Sequence, residues 1–525
     1  MRTDDLLDAI GEARDEYVQD VRTAKRNIMP RWAKWTSSIA ACLILLLGAG
    51  LIFSKIGGNA GSGSGGDQDL HYMYYVGPVL PLTVQGGSTG ITATRNVDYN
   101  FSGYYTHQES YENIKGEPVY YDRYDNKAYV TDSYVLTNVS GEDQTLTLLY
   151  PHIGDMREYM NYPAISVDGT PVTTAMHPGP YSGGFEGVWG SNEAGTVNIN
   201  PLECFDDYQK LLSTDAYMNS AFDPFPVLDH TVFVYRMHDF VYSEEEAANP
   251  TLSFDFNIDY SKTYVFSYGT NGASHNYETG FCSRRKGAIE YRPNASPERQ
   301  HPNDGYIILL GEDLQEYTLQ GYRDGGCDPG EELHDLNCTV TRYETTLGEL
   351  LAQLMPDYLK EVIRQLDADP YGVTPPQGIP SEELYLGLAA ELLESYGQIG
   401  TTPVERYDTG MLEDIFSAVY TNSRVIYFSF DVTIPAEESI SVEVVMPKDA
   451  SIDYVGNDKG KDGFDMATKL GSNLTFTEQT ASICRFEEIE IIAQNFGFDL
   501  ENGITNVPLD LNQDHYWIQV RKVHK

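Results

Sequence analysis

Few residues have the types and spacing that chemistry needs. In Asp510-Leu511-Asn512-Gln513-Asp514, the side chains of Asp510, Asn512 and Asp514 place oxygens at alternate positions, as at the start of an EF-hand-like calcium loop. His515 stands where such a loop has glycine, and Arg521 occupies the twelfth place, where it cannot be a ligand. Asn457-Asp458 with Asp462-Gly463 and Asp465 is a second oxygen-rich stretch, read as a turn, so Ca2+ is the one cofactor to look for. Ser283-Arg284-Arg285-Lys286 has the S-x-x-K spacing in which a lysine activates a serine. Its S-D-N and K-T-G companions are missing, and Lys461-Asp462-Gly463 is a poor substitute. Tyr120-Tyr121-Asp122-Arg123-Tyr124-Asp125 could stack on sugar rings and bond their hydroxyls. HExxH and P-loop motifs are absent. The acidic residues offer too many pairs for a glycosidase couple to stand out, so no catalytic residue is assigned and an enzyme is not expected.

The elements that would position these residues are mostly strands. Tyr129 to Asn138 and Gln144 to Tyr150 flank the turn Ser140-Gly141-Glu142-Asp143 and read as a hairpin. Arg424 to Ile434 and Ile440 to Met446 flank Pro435-Ala436-Glu437-Glu438 and read as a second, in the same form. The echo suggests two sandwich-like units or two halves of one sheet system. Leu252, Phe254, Phe256, Ile258 and Tyr260 alternate with polar residues, as in a strand with one wet face. Residues 345–422 change to helical spacing. Thr346 and Glu349 form a capping box, Pro356 should kink or divide the first helix, Ser381 caps a second, and Met411 to Tyr420 suggests a third. The expected fold is a mainly β, sandwich-like ectodomain over 71–344 and 423–525, with an α-helical insertion at 345–422.

Ahead of these lies a membrane signature. Trp35 to Ser54 is twenty residues without a formal charge, about 30 Å of helix and one bilayer core. Arg22, Lys25, Arg26, Arg31 and Lys34 precede it and only Lys55 follows closely, so the positive-inside rule keeps the N-terminus cytoplasmic. Trp32 and Trp35 suit the interfacial belt. Ile39-Ala40-Ala41-Cys42 matches a lipoprotein box in letters, but the apolar stretch mostly follows the cysteine. Leu80-Pro81-Leu82-Thr83 only begins like a sortase signal. A Gly/Ser tether occupies 55–70. Within 1–34, Leu6, Ile10, Ala13, Tyr17, Val21, Ala24 and Ile28 form a helical stripe; Leu6, Ile10, Tyr17 and Val21 are the partner-binding candidates, because a lone helix of this length needs something to cover its stripe.

Charge and cysteines narrow the classes further. Residues 1–55 carry eight Lys/Arg and seven Asp/Glu, a net of +1 against −43 for the whole chain, so all of the negative excess falls beyond them. Such a surface repels nucleic acid and anionic headgroups. The six cysteines are Cys42, Cys204, Cys282, Cys327, Cys338 and Cys484, too sparse for a disulfide framework, although Cys327 and Cys338 could bridge across a short loop. Tyr, at 39 residues against 20 Phe, favours strands and half-wet surfaces.

Asp5-Leu6-Leu7-Asp8-Ala9-Ile10-Gly11, the later Tyr17-Val18, the basic stretch, Trp35 and Ile39-Ala40-Ala41-Cys42 resemble the N-terminus of single-pass Gram-positive membrane proteins, some similar to anti-sigma-factor regulators. The resemblance covers roughly residues 1–55. Unlike zinc-type anti-sigma domains, the chain has no His or Cys before Cys42. The resemblance implies a protein that holds a cytoplasmic regulator at the membrane and senses something outside. The leading expectation is therefore an integral membrane sensor whose exterior binds a glycan or protein ligand. A tethered envelope module without signalling and an envelope hydrolase are the alternatives.

Overall fold

The computed structural model describes residues 72–87, 90–112, 118–181, 202, 204–241, 251–256, 258, 262–269, 274–276, 280–284, 304–323, 327–366, 377–395, 412–456 and 459–523. The chain opens with β1 (Thr83–Val84), β2 (Ile91–Asn100), the ribbon strands β3 (His107–Glu112) and β4 (Pro118–Arg123), β5 (Lys127–Asn138) and β6 (Gln144–Gly154). After a 3-10 turn at Met156–Asn161 come β7 (Ala164–Val167), β8 (Thr170–Pro171) and β9 (Ala175–Pro178). Helices α1 (Phe205–Leu212) and α2 (Ala216–Ser220) lead to a second set: β10 (Thr231–Val241), β11 (Thr251–Phe256), β12 (Tyr264–Tyr268), β13 (Ser274–Asn276), β14 (Gly280–Arg284), β15 (Gly305–Leu310), β16 (Tyr317–Tyr322), β17 (Glu332–Leu333) and β18 (Asn337–Thr346). Then follow α3 (Leu347–Leu366), α4 (Glu382–Ser395) and α5 (Leu412–Thr421). The last strands are β19 (Arg424–Ile434), β20 (Ser439–Asp449), β21 (Ser451–Ile452), β22 (Asp462–Ala467), β23 (Thr475–Cys484), β24 (Ile489–Gln494), β25 (Asn506–Pro508) and β26 (His515–Lys522). The fold is mainly β, as the alternation in the sequence indicates.

Early and late strands build the same sheets. A seven-stranded sheet runs β25-β23-β2-β5-β20-β7-β8, and two four-stranded sheets run β1-β6-β19-β9 and β21-β22-β26-β24. Val97, Val130, Leu136, Val442 and Ile483 from the first share one core with Leu148, Tyr150, Phe428, Phe464 and Val520 from the other two. Fully burying each such side chain contributes about 1.5–3 kcal/mol. Both edges of the seven-stranded sheet are short strands carrying a proline, Pro508 and Pro171, which blunts edge-to-edge pairing.

The two expected hairpins are not hairpins. Their four strands lie where the sequence puts them, but β5 and β6 belong to different sheets, as do β19 and β20. Each pair is an arch that crosses the core, and the arches pair strand for strand: β5 with β20, and β6 with β19. Buried Asn138 fixes the corners. Its amide donates to the carbonyls of Glu142 at 2.8 Å, Ile434 at 3.0 Å and Pro435 at 3.1 Å, while its oxygen accepts from Ser140. Strands from before and after the helical segment thus build the same sheets. Strands from 83–178 and 424–522 interleave, because period-two alternation identifies a buried face without naming the strand that pairs beside it.

Residues 231–346 form their own two sheets, β12-β15-β10-β18 and β13-β14-β11-β16-β17, which enclose Met237, Leu252, Phe254, Ile307 and Leu309. In β11, Thr251 and Ser253 are buried along with Leu252 and Phe254, so the face expected to be wet is covered. Strand β11 spans Thr251–Phe256, and Tyr260 lies outside the described residues. The capping box closes as expected: Glu349 N–H donates to Thr346 Oγ1 at 3.2 Å, and Thr346 N–H to Glu349 Oε2 at 3.3 Å. Pro356 does not divide helix α3, which contains it as one element. The carbonyl that Pro356 leaves without an N–H partner belongs to exposed Ala352, where water can reach it. No helix of the described residues is long and apolar enough to cross a membrane. The expected span, 35–54, lies outside them.

Candidate functional site

Alternation turns every second residue of the seven-stranded sheet away from the core. In β2 the inward set is Ile91, Ala93, Arg95, Val97 and Tyr99, and the outward set is Thr92, Thr94, Asn96, Asp98 and Asn100. Register then aligns the outward residues in rows. Pro508, Thr480, Asn96, Ser133, Glu443, Ser166 and Pro171 stand side by side across all seven strands. The neighbouring row runs Glu478, Thr94, Val135 and Ser441. These rows line a shallow depression of about 360 Å³. Its donors and acceptors are hydroxyls, one amide and two carboxylates. Glu443 and Glu478 stand on strands three apart, about 14 Å across the sheet at the usual spacing.

The electrostatics of this face follow from where the cations go. Arg95 points inward, with Nε donating to Asp132 Oδ1 and Nη2 to Oδ2, both at 2.8 Å, and Nη1 donating to the Ala467 carbonyl at 2.7 Å. Outward-facing Lys127 lies 3.8 Å from Asp449. Neither Glu443 nor Glu478 has a salt bridge among the described residues. The depression therefore presents hydroxyls and uncompensated negative charge, which suits ligands that are rich in hydroxyls and carry no negative charge.

A second constellation lies where β6 runs into the 3-10 turn. Asp155 caps that turn, its carboxylate accepting from Arg157 N–H at 2.9 Å and Glu158 N–H at 3.1 Å. Burial pushes Glu158 up to about 7, with Asp155 and Asp449 adding to the shift. Burial pulls His152 down to about 3, with Lys448 adding to it. Lys448 is itself lowered by burial and donates to the Val76 carbonyl at 3.0 Å. A Cβ at Gly154 would stand 3.0 Å from His152 Nε2 and 3.3 Å from Glu158 Oε2, so the missing side chain makes room for both groups. His152 Nε2 is buried with no hydrogen-bond partner among the described residues. The group can hold protons near neutrality, but it is packed inside rather than opened to a ligand.

The residues singled out from sequence are not brought together. Asn512 donates to Asp510 Oδ1 through its N–H and its side-chain amide, each at 2.9 Å. Asp514 is anchored through its carbonyl, which accepts from Thr468 N–H at 3.0 Å. Among the described residues no group of three or more His, Cys, Asp or Glu could hold a metal ion. Asp462 and Asp465 are not in a turn: they lie in β22, which is paired on both sides and buried along its length. Asp462 accepts from Tyr104 Oη at 2.8 Å, and Asp465 from Tyr75 Oη and, at 2.9 Å, from His515 Nε2. Asn457, Asp458 and Lys286 lie outside the described residues, as do Leu6, Ile10, Tyr17 and Val21. Ser283 falls in β14.

Tyr120 and Tyr121 are exposed on the β3–β4 ribbon, and Tyr124 is exposed as well while touching Tyr104 and lying beneath the Lys522 ammonium. Cys327 is disulfide-bonded and Cys338 is a thiol, so the short-loop bridge between them is not made. Burial, with Asp98 beside it, raises the Cys484 thiol to about 11, and burial likewise raises Cys204, so neither is an activated nucleophile.

Sequence reasoning missed Asn96, Ser133, Glu443 and Glu478. Their signal was present as the polar half of each alternating strand, yet a row appears only once strands hundreds of residues apart are paired. Comparison of the chain with protein-family models, curated proteins and solved structures finds no match.

Proposed function

We propose that the chain is a membrane-anchored sensor whose exterior, β-rich part binds a hydroxyl-rich ligand on the outward face of the seven-stranded sheet. The observation that carries this reading is the aligned row Thr480, Asn96, Ser133, Glu443 and Ser166 in the floor of the depression. Aligned hydroxyl, amide and carboxylate groups can exchange hydrogen bonds with a polyhydroxylated chain at many points, without the cations that an anionic ligand needs. The seven-stranded sheet shares its core with two further sheets, which supports reading the exterior as sandwich-like. A disulfide at Cys327 agrees with an oxidising, extracytoplasmic compartment. In this reading residues 35–54 anchor the protein, and the stripe of Leu6, Ile10, Tyr17 and Val21 docks a cytoplasmic regulator.

The test is capture of envelope oligosaccharides by full-length protein immobilised in nanodiscs. Retention of a hydroxyl-rich fraction that carries no negative charge is the expected result. If only anionic polymers were retained, or no glycan at all, the reading would be wrong.

A further inference from the structure

The same face carries more information than a preference for hydroxyls. Within and beside the polar rows it exposes isolated apolar side chains: Val135 is 44% exposed, Tyr129 41% and Val445 40%. Val135 borders Thr94 and Ser441 in register, Val445 lies opposite Thr131 in the next row, and Tyr129 lies opposite Asn100 and Pro447. Tyr129 is four residues from Ser133 on β5, about 13 Å along the strand. Polar rows interrupted by single apolar contacts match a chain of sugar rings, whose hydroxyl edges and C–H faces alternate in the same way. The charge is one-sided as well. Glu443 lies in the floor of the depression and Glu478 three strands away in its lining, Arg95 is turned into the core against Asp132, and Lys127 lies beside Asp449. An anionic polymer would meet repulsion at both carboxylates, and a neutral one would leave both unanswered.

We infer that the occupant is an oligosaccharide of amino sugars with unmodified amino groups, its ammonium groups meeting Glu443 and Glu478 while its rings pass over Val135 and toward Tyr129. This rests on the ligand-binding reading of the same face and adds the chemical class of the ligand.

The experiment titrates full-length protein in nanodiscs with a glucosamine hexamer and with the fully N-acetylated hexamer of equal length. The glucosamine hexamer should bind more tightly, and raising the salt should weaken it alone. The E443Q/E478Q double variant keeps side-chain shape at two outward positions and should melt like the parent. It should bind the glucosamine hexamer about fivefold more weakly and lose less affinity for the acetylated one, so that the gap between the two hexamers narrows. Equal binding of the two hexamers, indifferent to salt and to the double variant, would overturn the amino-sugar assignment while leaving the hydroxyl-binding face intact. If neither hexamer bound, the assignment and the reading beneath it would both fall.

Discussion

Arg95 and Asp132 face each other across neighbouring strands of the seven-stranded sheet, both side chains fully buried and joined by two bonds of 2.8 Å. Tyr134 Oη adds a bond to the same carboxylate at 2.7 Å and itself accepts from Leu82 N–H at 3.0 Å. The pair ties β2 and β5 to the segment leading into β1. It also removes the one cation of β2 from the outward face, directly beneath the depression.

Breaking this pair from one side leaves a buried charge without its counter-ion. Asp132→Asn should therefore lose about 3–5 kcal/mol of stability in denaturant titrations. A loss below about 1 kcal/mol would mean that Arg95 finds water or another acceptor.

The arch corners depend on Asn138. Asn138→Ala removes the amide that bridges Glu142 to Ile434 and Pro435 and leaves buried carbonyls without a donor. The expected cost is about 1–3 kcal/mol. Hydrogen exchange should quicken at both corners together, since one side chain serves both; quickening at 139–143 alone would contradict the shared staple.

Strand identity was legible along the chain, whereas partnership was not. The run Arg424 to Ile434 is β19 residue for residue, and Tyr129 to Asn138 falls within β5. That β5 pairs with β20 rather than β6 depends on Asn138 reaching Ile434, a contact between residues 296 positions apart. The capping box at Thr346 was visible because both of its partners lie within four residues. For the same reason the floor of the depression was hidden. Asn96, Ser133 and Thr480 each read as an ordinary outward residue, and only long-range register sets them in a row. The acidic run around Asp462 misled in the opposite way: its carboxylates looked solvated, but Tyr104, Tyr75 and His515 take them inside.

Glu158 sets a pH dependence of defined sign. Its carboxyl rises from an ordinary 4.5 to about 7 in the folded protein, so between those values the folded state keeps a proton that the unfolded state releases. Its contribution to stability is complete below the unfolded value and is lost as pH rises through about 7. Glu158→Gln cannot ionise and should escape that loss. Its Tm relative to the parent should therefore be higher at pH 8 than at pH 5, by about 2 °C or more. His152 acts on the acid side. Held down to about 3 from 6.5, it contributes fully above 6.5, and that contribution is lost as pH falls toward 3. An E158Q melting curve parallel to the parent across pH 5–8 would show that Glu158 ionises normally.

Helix α4 is clamped to the sheets by one ion pair. Buried Arg424 donates from Nη1 to Glu391 Oε2 at 2.7 Å, and Glu391 Oε1 accepts from Tyr181 N–H at 2.9 Å. Glu391→Gln should cost about 3 kcal/mol or more, because the guanidinium stays buried without its charge partner. Limited proteolysis should then release fragments from the helical segment before the seven-stranded sheet is cut; simultaneous cutting of both would contradict a local clamp.

The central claim is that the outward face of the seven-stranded sheet is where ligand binds, and Ser133 lies at the middle of that face. Ser133→Arg points outward, so the fold should tolerate it, while its bulk fills the depression and its charge opposes an ammonium. The most direct measurement is calorimetric titration of full-length parent and S133R protein in nanodiscs with the captured oligosaccharide, alongside their melting curves. Binding abolished in S133R, with Tm within about 1 °C of the parent, is the expected result. Undiminished binding by a folded S133R protein would place the ligand elsewhere and contradict the assignment.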